Sequence, residues 1–128
     1  MNSDEQKRLK VENYIKSYNS FDINGMTIDL AKDVIFENVS NGKIDVTTNG
    51  IDEFRIQAEK AKSLFVSREQ KITAINSNRN TLSIKIDYTG VLNIDLPTGL
   101  KKGESIHLKG ESIFTFENNK IIKIRDVS

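Results

Sequence analysis

The spacing of apolar residues changes from a period near 3.6 to a period of 2 at about Val66, and that switch constrains the fold more than any other feature of the chain. Before it, Val11, Tyr14, Ile15, Tyr18 and Phe21 form one helical stripe, and Ile51, Phe54, Ala58, Ala61 and Phe65 form another. After it, Leu82, Ile84, Ile86, Tyr88, Leu92 and Ile94 alternate with Ser83, Lys85, Asp87 and Asn93, as a half-buried strand requires. Between the stripes, "FDINGMTIDLAKD" reads as a short helix capped by Asp22, with Met26 and Leu30 facing inward. "VIFENVSNGKIDVTT" reads as two short strands around the turn Ser40-Asn41-Gly42. Thr48-Asn49-Gly50 then introduces the third helix, whose first turn carries Asp52 and Glu53. Helices early and adjacent strands late predict an α+β fold, with three N-terminal helices packed on a curved, mainly antiparallel sheet.

No repeat or linker interrupts this order, and 128 residues make a single domain over residues 1–128. A chain of this size buries roughly two thirds of its unfolded surface, enough for a core and one internal cavity. Nineteen basic residues against 18 acidic ones, dispersed along the chain, leave no basic face for nucleic acid. With no cysteine and one histidine, disulfides, thiolate nucleophiles and His-rich metal sites drop out, and the expectation is no metal and no cofactor. The charged start "MNSDEQKRLKVENY" has no apolar signal region, and no run approaches the ~20 apolar residues of a membrane span. A cytoplasmic address with no membrane contact is expected.

The only proline and only histidine fall in "DLPTGLKKGESIHLKGES". "PTGLKKG" carries turn residues between two strong strands and reads as the tip of a long hairpin. Matching apolar faces sets Leu92 opposite Leu108, Ile86 opposite Phe114 and Tyr88 opposite Ser112. His107 then shares the outward face with Ser105 and Lys109, and Lys85 and Asp87 also point outward. Across the next turn, "ENNK", pairing Phe116 with Ile122 and Phe114 with Ile124 places Ser112 beside Asp126. The result is a line of polar heads, Tyr88, Ser112 and Asp126, on an otherwise apolar inward face, and a one-residue slip would turn all three outward. A carboxylate among Ile, Phe and Leu is expected to hold its proton to higher pH, as general acids and bases do.

Several stretches resemble the NTF2-like superfamily, and within it the SnoaL-like relatives of polyketide cyclases. "YIKSYNSFDINGMTIDLAKDVIFEN" resembles the family's first helix, its Asp-Ile-x-Gly junction and the lead-in to its first strand. "NGIDEF" is similar to the opening of its third helix, and "LPTGLKKGESIHLKGESIFTFENNKIIKIRDVS" to its closing strands. The resemblance implies a cone of helices and sheet around a pocket for a small apolar or carbonyl-bearing molecule. It also implies a homodimer through the outer sheet face. In ketosteroid-isomerase-like members a tyrosine works with two carboxyl groups. Tyr14 matches the tyrosine, but Asn38 stands where the base would be and Ser112 where the acid would be. Ser112 also occupies the place of the SnoaL-like cyclases' late-strand aspartate. Asn38 and Asp126 match a pair in limonene-epoxide-hydrolase-like pockets, whose Arg-x-Asp pair would fall at Tyr88 and Gly90.

Two functions follow as expectations. In the first, Asp126 and Tyr14 catalyse isomerase- or cyclase-type proton transfer on an enolisable carbonyl compound. Asn38, Tyr88, Ser112, Tyr18, Phe36, Phe54 and Phe114 would bind the ligand. In the alternative, the same pocket binds a ligand or the domain associates with another protein, without turnover. Tyr14 and Tyr18 have a simpler role open to them as stripe residues of the first helix, and the three phenylalanines as core.

Overall fold

The computed structural model describes residues 3–128. Its elements run α1 (Ser3–Asn19), α2 (Ile23–Thr27), β1 (Leu30–Ser40), β2 (Lys43–Asn49), α3 (Ile51–Lys62), β3 (Phe65–Asn78), β4 (Thr81–Leu92), β5 (Ser105–Glu117) and β6 (Lys120–Val127). The α+β expectation holds. Two helices precede the sheet, and α3 follows its first hairpin, the order in which the sequence sets them. The six strands form one sheet in the order β2-β1-β6-β5-β4-β3, antiparallel at every pair except β1 with β6. Among the described residues no helix is long and apolar enough to cross a membrane.

Local chemistry explains the breaks between elements. The Asp22 side chain accepts a hydrogen bond from the Gly25 amide at 2.9 Å and starts α2. Asn41 and Gly42 both take positive φ, which a two-residue turn needs if its twist is to match the strands it joins. Asn118 and Asn119 do the same between β5 and β6. The α1 stripe contributes Val11, Tyr14 and Ile15 to the core, α3 contributes Phe54 and Ala58, and the sheet contributes Val34, Leu82, Ile84, Phe114, Ile121 and Ile124. The far end of α1 is pinned to β3, where Asn19 accepts from the Gln70 amide at 2.7 Å and donates to its carbonyl at 3.1 Å.

The sheet register corrects the long hairpin. Tyr88 lies opposite Leu108 and Ile84 opposite Ser112, a displacement of four residues from face matching. Leu92 bonds Glu104 and Gly103 in place of Leu108, and Leu108 is half exposed. Ile86 pairs with Gly110, and Phe114 pairs with Leu82. A shift by an even number keeps every side chain on its face, so alternation cannot detect it. The loop decides it: Asp95 accepts from the Lys102 amide at 2.9 Å and Glu104 from the Lys101 amide at 2.8 Å, while Gly99 and Gly103 take positive φ. The β5–β6 register follows expectation at Phe114–Ile124 and Ser112–Asp126, but a bulge pairs Phe116 with Ile121 instead of Ile122. His107 is exposed opposite Thr89, and Asp87 meets Lys109 at 2.9 Å on the outward face.

Candidate functional site

The parallel pairing of β1 with β6 sets Asn38 beside Asp126, and the β5–β6 hairpin sets Asp126 beside Ser112. The polar row is therefore Asn38, Asp126 and Ser112 across β1, β6 and β5, and it ends at Ile84 on β4. Tyr88 belongs to a different rung. Directly beneath lies an apolar row of Phe36, Ile124, Phe114 and Leu82.

Two recesses open from this row. One, of about 200 Å³, is roofed by helices and lined by Tyr14, Phe36, Phe54, Arg68 and Gln57. The other, of about 380 Å³, lies toward the ends of β4 and β5 and is lined by Phe65, Tyr88, Leu108 and Ser112. Tyr18, Asn38 and Asp126 line both.

Ser112 is fully buried, and its hydroxyl donates to Asp126 Oδ1 at 2.7 Å. Burial pushes the Asp126 carboxyl up to about 6, and the Ser112 bond opposes the shift without cancelling it. Asp126 therefore changes charge within the range in which a proton carrier is useful. Asn38 does not bond to it: its amide donates to Asp45 at 2.9 Å and to Ser40 at 3.2 Å.

Tyr14 is buried, with its ring edge-on to Phe114 at 5.4 Å and tilted against Phe54 at 6.4 Å. Phe36 meets Phe54 edge-on at 5.9 Å. Aromatic packing of this kind fixes the Tyr14 ring, and among the described residues its hydroxyl has no hydrogen-bond partner. Phe114, expected at the ligand, is wholly buried and lines neither recess; it supports Tyr14 from below. Tyr18 and Tyr88 bond hydroxyl to hydroxyl at 2.9 Å between the recesses. Burial raises the pKa of Tyr14, Tyr18 and Tyr88, and the charge of Arg68 pulls each of them the other way.

Arg68 is the residue that sequence reasoning passed over. It is 5% exposed, its guanidinium stacks on the Tyr18 ring at 3.6 Å, and its Nε donates to the Tyr18 carbonyl at 3.1 Å. The signal was weak: only if β3 begins before Glu69 does alternation place Arg68 inward with Gln70 and Ile72. No group of three or more His, Cys, Asp or Glu able to hold a metal ion exists among the described residues.

No family model and no curated protein matches the sequence. Solved structures do match. A proposed polyketide cyclase of Xanthomonas campestris pv. campestris superposes with a TM-score of 0.82 at 16% identity, covering 97% of this chain and 90% of its own. A proposed SnoaL-like polyketide cyclase of Jannaschia sp. CCS1 gives 0.81 at 12% identity, over 95% and 84%. This is an NTF2-like fold. An NTF2-like protein of unknown function from Burkholderia pseudomallei shares it, at a TM-score of 0.77 and 16% identity over 94% and 88% of the two chains. At these identities the likeness carries the NTF2-like fold, and the chemistry has to be argued from the side chains.

Proposed function

We propose that the chain binds a small, largely apolar carbonyl compound in a conical pocket beneath the helices and moves a proton on it. Asp126, as carboxylate, takes a proton from the carbon next to the carbonyl, and the electron pair moves to oxygen. The Tyr14 hydroxyl donates a hydrogen bond to the oxyanion that develops, and Asp126 returns the proton at the same or a neighbouring carbon. The observation that supports this most is the pairing of a half-buried, Ser112-bonded carboxyl with an unpartnered phenol on one recess. The names of the fold relatives, with their proposed cyclases, point the same way.

A second reading, ligand binding without turnover, is favoured by one feature. Among the described residues Asp126 is the one carboxylate lining the helix-roofed recess, so no second acid there shares the transfer. The experiment uses 2-naphthol, an enolate mimic, with wild type and Asp126→Asn across pH. Proton transfer predicts saturable binding whose pH dependence is centred near 6 and disappears in the variant. Exchange of the α-protons of 2-tetralone in heavy water, above the buffer rate and lost in Asp126→Asn, separates catalysis from binding. Binding without exchange supports the second reading. Absence of both removes the first.

A further inference from the structure

Among the described residues the Arg68 guanidinium makes no ion pair, and most of its donors are unused. Its Nε is used by the Tyr18 carbonyl, its face by the Tyr18 ring at 3.6 Å and the Phe21 ring at 4.7 Å. Both terminal nitrogens are buried, and neither has a hydrogen-bond partner among the described residues. A guanidinium can tolerate loss of water when its donors are satisfied, but one buried with unsatisfied donors is costly. The stacking and the Nε bond also fix the plane of the group. What they leave unused is its two-pronged end, the geometry that matches a carboxylate through two parallel hydrogen bonds. Arg68 lines the same recess as Tyr14 and Asp126, whose walls are otherwise mostly apolar.

We propose that the natural ligand is an apolar molecule bearing a carboxylate, which Arg68 receives at one end of the recess while the body of the ligand reaches Tyr14 and Asp126. This rests on the pocket reading above and names its substrate class. A transient oxyanion would not serve instead, because the terminal donors of Arg68 stand unsatisfied before any reaction begins. A permanent carboxylate at Arg68 also orients the molecule, so that the reacting carbon, not the acid group, faces Asp126.

The test compares 2-naphthoate with its neutral counterpart 2-naphthamide by fluorescence titration at pH 8, against wild type, Arg68→Met and Arg68→Lys. A charge-assisted pair predicts that wild type prefers the acid by roughly ten- to a hundredfold. Arg68→Met abolishes that preference by weakening the acid alone, and Arg68→Lys restores part of it. Equal affinity of wild type for the two compounds overturns the proposal, as does a preference that survives in Arg68→Met. If Arg68→Met fails to fold, as judged by circular dichroism, Arg68→Gln takes its place, and the wild-type preference still decides. Binding of the amide without the acid overturns the carboxylate alone, whereas failure of both compounds overturns the pocket reading with it.

Discussion

Ser112 and Asp126 face each other across β5 and β6, with the Ser112 hydroxyl 2.7 Å from Asp126 Oδ1. The bond favours the charged carboxylate, while burial disfavours it more strongly. Ser112→Ala removes only the favourable part, so Asp126 in that variant should titrate above about 6. Carbon-detected NMR of the carboxyl resonance checks this, and an unchanged midpoint would show that the hydroxyl does not tune the acid.

Asp126 also ties stability to pH. Its ordinary value of 3.8 rises to about 6 in the fold, so the folded state holds the proton more tightly than the unfolded one. Stability therefore falls as pH rises through that window and levels off above it. Asp126→Asn keeps an acceptor for Ser112 and cannot ionise. It should be more stable than wild type above pH 7, by on the order of 2–3 kcal/mol, with the gap closing below about pH 4. Urea unfolding at a series of pH values reads the difference directly. A constant gap across pH would contradict the assignment.

Gly90 on β4 leaves room for Phe65, whose ring carbons lie 2.8 Å from where a Cβ would stand. Gly90→Ala forces that ring to move, and it should destabilise by about 1–3 kcal/mol. The Phe65 ring also packs on Tyr88, with centroids 5.9 Å apart, so the larger recess should change shape. Thermal unfolding measures the first effect. In the variant, quenching of tyrosine fluorescence by acrylamide should increase.

Tyr88→Phe removes one of two bonded hydroxyls at the boundary between the recesses. The cost should be about 1 kcal/mol in denaturant unfolding. Because Tyr88 lines only the larger recess, 2-naphthol binding in the helix-roofed one should be unchanged. A large loss of binding would move the ligand to the Tyr88 side.

The parts of the site readable in the sequence are those joined by short, strongly patterned connections. Ser112 and Asp126 were placed side by side because only the Asn118-Asn119 turn separates their strands, so alternation leaves little freedom. Tyr88 was misplaced because the hairpin loop reaching from β4 to β5 is long. Its side-chain-to-amide bonds, which no periodicity encodes, select among registers that keep the same faces. Arg68 was missed because the apolar alternation that marks the strand begins only after it, and Arg68 shares the face of Gln70 and Ile72 only if β3 starts before Glu69.

By itself the sequence determined the elements and their buried faces, because period and turn chemistry act over a few residues. It also determined one acid-hydroxyl pair by the same local rules. Only the tertiary structure decided that Asn38 joins Asp126, since parallel strands β1 and β6 meet across most of the chain's length with nothing local to announce it. It alone decided that Arg68 enters the recess unpaired. Burial and the lack of hydrogen-bond partners are properties of everything packed around a side chain, and no short stretch of residues contains them.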